Sequence, residues 1–483
     1  MSAIAIITTI FTYLAVLFVI SFLSGRRSDN EGFFIGNRRN SWWVATLAMI
    51  GAAMSGVTFV SVPGSVTTDS FSYLQMVIGF TIGQLIVAFV LVPLFYRKGI
   101  LSLYQYLADR YGLTTHRTGA WCFLLAKIIS ASLKVYIVAA MMQLLVFDSL
   151  GIPFTLNVIA TMLIVWLYTC WGGVRSLIPT DIIQSLCLVA AVGIAIWALC
   201  RSMGLSMGDS YQLIASAPES QIFFFDDAAS PRYFWKMVAG GALCLVAMTG
   251  LDQDMMQRNL SCRTVRDSQI NILLTALCQA IVITLFLALG VLLYRYIDFA
   301  AMPSPERGDN LFAMVAVQGG LPLVVGIAFI VGLISSTYSA AGSALTSLTT
   351  SFTLDILPES RSVDESKLQH LRRRVHLVMA VVVAVAILIF DAINNDGVIN
   401  LVFRIAGYTY GPILGLFTFG ILSRRRVRER FIPPIVIAAP LLSYALQWAA
   451  ANYFCYNIGF ELLGYNALFV IFGLWFCSCR TAK

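Results

Sequence analysis

The sequence predicts an all-α protein that crosses a membrane many times, on three observations: composition, evenly recurring apolar segments, and positive charge confined to alternate connections. Of its 483 residues 59% are hydrophobic and only 12% charged, with a mean hydropathy of +0.83, which excludes a soluble globule. About thirteen segments approach the roughly twenty residues a bilayer crossing needs. They cover approximately 4–23, 42–66, 74–96, 118–146, 152–171, 177–200, 233–256, 269–296, 321–353, 375–391, 397–423, 431–452 and 460–479. Arg26, Arg27, Arg38 and Arg39, then Arg97, Lys98, Arg110 and Arg117, then Arg258, Arg263 and Arg266, then Arg372 to Arg374, and finally Arg424 to Arg430 share one side. The positive-inside rule makes that side cytoplasmic. The N-terminus is therefore expected outside, and the C-terminus, with Arg480 and Lys483, inside a cell's inner (plasma) membrane.

Taken in order, the first segment has no basic n-region and ends at Gly25-Arg26-Arg27, which reads as an uncleaved helix and not a signal peptide. The second contains Gly51-Ala-Ala-Met-Ser-Gly56 and Pro63-Gly64, a run expected to unwind or kink a helix. The fourth carries Lys127 and Lys134, seven residues apart and so on nearly one face of an otherwise apolar helix. Lys134 is deeper and the better candidate to meet a carboxylate; Lys127 is expected to snorkel toward the cytoplasmic interface. The sixth holds Asp181, either a pathway residue or an N-terminal cap beside Thr180. The seventh breaks at Gly240-Gly241 and Thr249-Gly250 before Asp252, Asp254 and Arg258, which read as an ion-pair cluster or gate. The ninth continues an apolar run into a hydroxyl-rich stretch in which Ser335, Ser339, Ser343, Thr346 or Ser347, and Thr350 form one stripe. Neutral oxygens in a row suit a hard cation such as Na+, although hydroxyls can instead bond back to their own helix. Arg404 in the eleventh is expected to neutralise Asp391 or Asp396.

Unwound backbone is tolerated in a membrane only where it lines a cavity or is buried in protein. Breaks in the first and sixth members of a ten-helix unit are the pattern of an inverted five-plus-five repeat, with a binding site between them. The connections are too short for a separate signalling domain, and the distribution of basic residues is a topology signal, so no nucleic-acid partner is expected. Three histidines and cysteines scattered through apolar segments offer no metal cluster, disulfide framework or nucleophile with a base, so no enzyme is expected.

Several motifs together resemble the sodium:solute symporter family, which includes bacterial sialic acid, proline and galactose symporters and sodium/glucose and iodide transporters. They are Gly51-Ala-Ala-Met-Ser-Gly56 with Val62-Pro-Gly64, Leu103-Tyr-Gln-Tyr-Leu-Ala-Asp-Arg-Tyr-Gly112, Gly172-Gly-Val-Arg-Ser-Leu-Ile-Pro-Thr-Asp181, the hydroxyl-rich span ending at Asp355, and Gly407-Tyr-Thr-Tyr-Gly-Pro-Ile-Leu-Gly415. The resemblance implies a LeuT-type inverted repeat with one extra N-terminal and two extra C-terminal helices. That divides the chain into 4–41, 42–200, 233–423 and 431–479. It implies a sodium site from carbonyls near Gly51, Met54 and Ser336 and the Ser339 hydroxyl, where Ala340 replaces a usual second hydroxyl. A second sodium is implied at Asp181 and Ser343, with Gly342 in place of a usual serine. Substrate positions fall on Ala53, Ser55 and Thr58, with Tyr73 and Gln75 from the third span, and Lys134 resembles the basic residue of sialic acid symporters. The implied activity is sodium-coupled uptake of a small organic, possibly anionic solute by alternating access, in the lipid bilayer and without an obligate protein partner. Proton coupling through Asp181, or a transport-inactive solute sensor, are the alternatives.

Overall fold

The computed structural model describes residues 3–26, 28–357, 364–393, 398–454 and 456–479, and is almost entirely helical. The main helices are α1 (Ala3–Gly25), α2 (Trp42–Ala53), α3 (Gly56–Gly64), α4 (Tyr73–Ile86), α5 (Leu113–Met142), α6 (Phe154–Thr169) and α7 (Val174–Ser202). They continue with α8 (Phe234–Leu245), α9 (Gln253–Leu260), α10 (Val265–Phe299), α11 (Leu323–Ser351), α12 (Glu365–Ile393), α13 (Val398–Leu422), α14 (Ile432–Phe454) and α15 (Leu462–Phe476). Among the described residues eight helices are long and apolar enough to cross a membrane, two bent pairs meet the same test jointly, and three further apolar helices run 10–17 residues. Large apolar side chains such as Phe11, Phe89, Trp121, Leu163, Leu277 and Leu441 are exposed, as a lipid-facing surface requires. The expected partnership of Arg404 with Asp391 or Asp396 lies outside the described side chains, as do Arg27, Arg480 and Lys483.

The two broken segments are the bent pairs. α2 and α3 meet at 59° and α8 and α9 at 66°. Met54 (φ −92°, ψ 97°) and Ser55 (φ −83°, ψ 167°) are extended, so the i→i−4 ladder stops there. Gly51 and Gly56 let this break sit close to its neighbours: a Cβ at Gly51 would lie 2.5 Å from Ser185 Oγ of α7, and one at Gly56 would lie 3.1 Å from Thr337 Oγ1 of α11. The second break, at Leu251 and Asp252, follows a π-helical turn over Val246–Gly250. α4 and α8 cross at equally close range, since a Cβ at Gly79 would stand 2.2 Å from the Val238 carbonyl.

Two features were not expected. Residues 66–72 are helical, so the third crossing with its lead-in extends over Val66–Lys98. A two-residue antiparallel pair, Arg426–Val427 with Ser478–Cys479, ties the basic loop after α13 to the end of the chain. α13 and α15 are held together where Asn466 Nδ2 donates to the carbonyls of Gly407 (3.1 Å) and Tyr408 (2.9 Å).

Candidate functional site

Between the two breaks lies a cavity of about 130 Å³ lined by residues of both. From the first come Ala53, Met54, Ser55 and Thr58, and from the second Met248, Thr249 and Asp252. α4 contributes Tyr73, Phe80 and Gln84, α5 contributes Lys127, Ser130 and Lys134, α10 contributes Thr275 and Gln279, and α13 contributes Tyr410. A second cavity of about 310 Å³ is bounded by Asp69, Arg232, Gln447 and Phe460, and Tyr73 lines both cavities. Tyr73 is thus the wall between them.

Below the cavity is a chain of buried charges. Lys127 Nζ donates to Asp252 at 3.1 and 3.2 Å and to Asp254 Oδ2 at 2.7 Å. On α9, Asp254 and Arg258 are i,i+4 neighbours, and Arg258 Nη1 reaches Asp254 Oδ1 at 2.5 Å. The other side of the same guanidinium donates to Asp181 Oδ2 through Nε (3.0 Å) and Nη2 (2.8 Å). Asp181 Oδ1 accepts from Ser339 Oγ at 2.6 Å, and Asp252 Oδ2 accepts from Tyr410 at 2.6 Å. Three carboxylates therefore hold two cations, all buried, linking α5, α7, α9, α11 and α13. Removing one member of such a set leaves an uncompensated buried charge.

The Asp252 carboxylate also accepts from its own Asp254 N–H at 2.8 Å, which caps α9 at its first turn. Lys134 differs from every other charge here: half-buried on the cavity wall, it has no hydrogen-bond or ion-pair partner among the described residues. Lys127 does not snorkel, because two carboxylates 125 and 127 residues away in the chain come to meet it. Asp181 is no helix cap either; it lies inside α7, whose N-cap residue is Gly173, and is fully buried.

The hydroxyls of α11 divide by face. On the expected stripe Ser335 meets Tyr13 (2.8 Å), Ser339 meets Asp181, Ser343 accepts from Arg258, and Thr350 accepts from Gln257 (2.8 Å). Of the same stripe, Ser347 bonds back to the Ala344 carbonyl and Thr350 also donates to the Thr346 carbonyl, while off it Ser336 and Thr337 bond back to the Leu333 carbonyl. Ser335, Ser339, Ser343 and Thr350 thus tie α11 to α1, α7 and α9, while Thr349 on another face ties it to His376 of α12.

The sodium:solute symporter family model matches residues 33–429. The chain belongs to this family. Within it, the human sodium/iodide cotransporter is 24% identical over 406 residues, 82% of this chain and 61% of that protein, so the chain spans under two thirds of its length. The sodium/sialic acid symporter of Proteus mirabilis is 22% identical, over 93% of this chain and 91% of that one. In three dimensions the chain superimposes on a sodium-coupled sialic acid symporter solved in a substrate-bound, outward-open state, with a TM-score of 0.82, 19% identity and 99% of each chain covered. It also matches a closed nucleobase-cation-symport-1 transporter, with a TM-score of 0.60 and 13% identity over 92% of this chain and 94% of that one. These structural likenesses carry the fold, a LeuT-type arrangement.

Of the positions suggested by the family, Ala53, Ser55, Thr58, Tyr73 and Lys134 line the central cavity. Gln75 does not. Its side chain is buried, donating to the Arg232 carbonyl (2.9 Å) and accepting from Phe224 N–H (3.2 Å), so it fastens the outer loop to α4. Gly51, Met54, Ser336 and Ser339 gather around the first break, where Gly51 adjoins the Asp181 carbonyl, Gly56 adjoins Ser336, and Asp181 joins Ser339. Asp181 and Ser343, the pair suggested for a second sodium, both face the Arg258 guanidinium. A side chain at 342 would collide with the Tyr168 hydroxyl, which itself bonds the Tyr338 carbonyl. Sequence reasoning missed Arg258 at this place, since nothing local links it to a residue 77 positions earlier. It also missed Gln84, Gln279 and Tyr410, which read as ordinary helix residues until the helices are assembled.

Proposed function

We propose that the chain is a secondary active symporter that drives uptake of a small organic solute with inward sodium movement by alternating access. The observation that carries this is the uncapped break at Met54 and Ser55: it lines the central cavity, and the glycines that flank it pack on the Asp181 carbonyl and on Ser336, beside the Asp181–Ser339 hydrogen bond. Backbone carbonyls freed at Gly51 and Met54, with the Ser336 carbonyl and the Ser339 hydroxyl, are the ligands assigned to Na+. The Ser339 hydroxyl spends its proton on Asp181, which leaves its lone pairs for a cation, while Ala340 supplies no second hydroxyl. One sodium is assigned and not two, because Arg258 already supplies a cation to Asp181 and Ser343. Both Asp181 oxygens being engaged also speaks against that residue as a proton carrier. Tyr73 is assigned as the outer gate between the two cavities, with the N-terminus outside, the C-terminus cytoplasmic, and 42–200 and 233–423 as the two inverted repeats.

The test is thermal stabilisation of the purified protein across Na+, Li+, K+ and pH at constant ionic strength, followed by accumulation in proteoliposomes. Stabilisation by Na+ that deepens with one solute, and sodium-driven accumulation of that solute, are expected. Equal behaviour in Na+ and K+ with a dependence on pH alone would replace sodium by proton coupling. Binding without accumulation would make the chain a sensor.

A further inference from the structure

The connection between α13 and α14, residues 423–431, carries five arginines and a single acid, Glu429. Burial alternates along it: Arg424, Arg426, Arg428 and Arg430 are exposed, whereas Ser423, Arg425, Val427 and Glu429 are half-buried. Such alternation belongs to an extended chain, in which successive residues point to opposite sides and every second one recurs at about 7 Å. Arg424, Arg426 and Arg428 lie in the extended part, and Arg430 continues the row in the short turn that leads into α14. None of these four exposed arginines has an ion-pair partner among the described residues.

The residues between them hold the row in place. Glu429 Oε1 accepts from the Thr115 N–H at 2.9 Å, which commits the one acid of the connection to the first turn of α5. Arg110, just ahead of α5, donates to the carbonyls of Gly420 (3.1 Å), Ser423 (2.7 Å) and Arg425 (2.8 Å) and so closes the end of α13. Arg426 and Val427 pair with Cys479 and Ser478, and the Arg425 guanidinium lies 5.2 Å from the centre of the Trp475 ring. The four exposed cations therefore stand on a backbone fastened at several points.

What they face follows from where they stand. The connection is short and joins two apolar helices, and at its edge Leu422, Trp475 and Phe476 are 80%, 49% and 77% exposed. Exposed leucine and aromatic side chains beside unpaired arginines match a bilayer interface, with the apolar groups toward the acyl chains and the cations at the level of the headgroups. A soluble acidic partner would match the arginines and leave the apolar edge uncovered.

We propose that this row is a docking surface for anionic phospholipids, whose phosphates meet Arg424, Arg426, Arg428 and Arg430 while their acyl chains cover Leu422, Trp475 and Phe476. The inference does not depend on the solute or on the coupling ion. A guanidinium suits the task because its planar fork can pair with two oxygens of one phosphate. A zwitterionic headgroup brings an ammonium along with its phosphate, so a row of four unpaired cations discriminates against it.

The experiment is quenching of tryptophan fluorescence in the full-length protein, reconstituted in phosphatidylcholine vesicles that contain graded amounts of brominated phosphatidylglycerol or brominated phosphatidylcholine. The difference between the parent and Trp475→Phe isolates the Trp475 signal. Phosphatidylglycerol is expected to occupy the surface about fivefold more readily than phosphatidylcholine for each arginine engaged, and the preference should shrink in high salt. Arg424→Gln with Arg426→Gln should lower it at least about fivefold, and adding Arg428→Gln and Arg430→Gln should abolish it. Lysine at the same four positions should keep most of the preference; because it also keeps the charge of the connection, it separates lost lipid binding from altered membrane insertion. The proposal is overturned if the two lipids quench Trp475 equally in the parent, which would leave the arginines a role in orientation alone, or if the glutamine variants keep the preference. Displacement of the lipid by millimolar inorganic phosphate would also overturn it, in favour of a site for a free anion.

Discussion

Arg258 acts as a resident cation, and replacing it by glutamine should turn its place into a sodium site. In the parent protein the guanidinium makes two bonds to Asp181 Oδ2 (2.8 and 3.0 Å), one to Asp254 Oδ1 (2.5 Å), and one to Ser343. Asp254 keeps Lys127 when Arg258 is removed, but Asp181 keeps only Ser339. The variant therefore leaves one buried carboxylate without a cation, which in general destabilises by about 3–5 kcal/mol. In Na+ a carboxylate flanked by two serine hydroxyls is a fair hard-cation site. Sodium at about a hundred times its Kd would return about 2.7 kcal/mol, most of the loss. The assay is thermal unfolding of Arg258→Gln and parent in choline and in Na+, with sodium binding counted directly. Expected are a clear loss in choline, a larger sodium-dependent gain than in the parent, and one additional bound sodium. If the variant gains no more from sodium than the parent does, Arg258 is only a structural brace and the single-sodium assignment loses its reason.

Other outcomes are expected. Ser339→Ala should weaken the sodium dependence of binding far more than Thr349→Ala, because Ser339 faces Asp181 whereas Thr349 bonds the Leu345 carbonyl and His376; equal effects in a sodium titration would refute the division of α11 into faces. Lys127→Met should destabilise the protein by about 3–5 kcal/mol in unfolding measurements, leaving Asp252 without a cation and held only by Tyr410 and the Asp254 N–H, and a combined Lys127→Met, Asp252→Asn variant should recover part of that loss. Uptake of a singly charged anion with one sodium would move no net charge, so for such a solute imposing a 100 mV potential on proteoliposomes should leave accumulation unchanged. A second sodium would instead raise it about fiftyfold, the equivalent of about 2.3 kcal/mol. Gln75→Leu should lower stability while leaving the solute's Kd within about twofold, since that side chain secures the outer loop; a selective loss of binding in a titration would return it to the cavity.

The fold was legible to the extent that hydropathy and backbone chemistry are local. Apolar runs mark the helices, and Gly51, Gly56 and Gly250 mark the breaks, whereas Pro63 and Gly240-Gly241, expected to break theirs, lie inside α3 and α8. The π-helical turns at Val87–Leu91, Gln143–Phe147 and Phe352–Ile356 carry no such mark. For the site, residue type was informative about cost and silent about partners. Lys127, Lys134 and Asp181 could all be singled out as expensive in a membrane. Which of them is neutralised depends on Asp252, Asp254 and Arg258 arriving from a distant helix, so only the assembled protein separates the paired lysine from the unpaired one. Gln75 misled for the converse reason: one helical turn decides whether a glutamine faces a cavity or a loop.

The two breaks occupy corresponding places in the two repeats and yet are chemically unlike. At the second, the side chain of Asp252 turns back to the Asp254 N–H and receives Lys127 and Tyr410, so that the opened helix end is stoppered by the chain itself. At the first, neither Met54 nor Ser55 offers a side-chain cap, and both line the cavity. The residues placed on the two breaks close the second with side-chain partners and leave the first open to the cavity. Substitutions around Asp252 should therefore be felt in whether the protein holds together, and those around Met54 in what it releases and when.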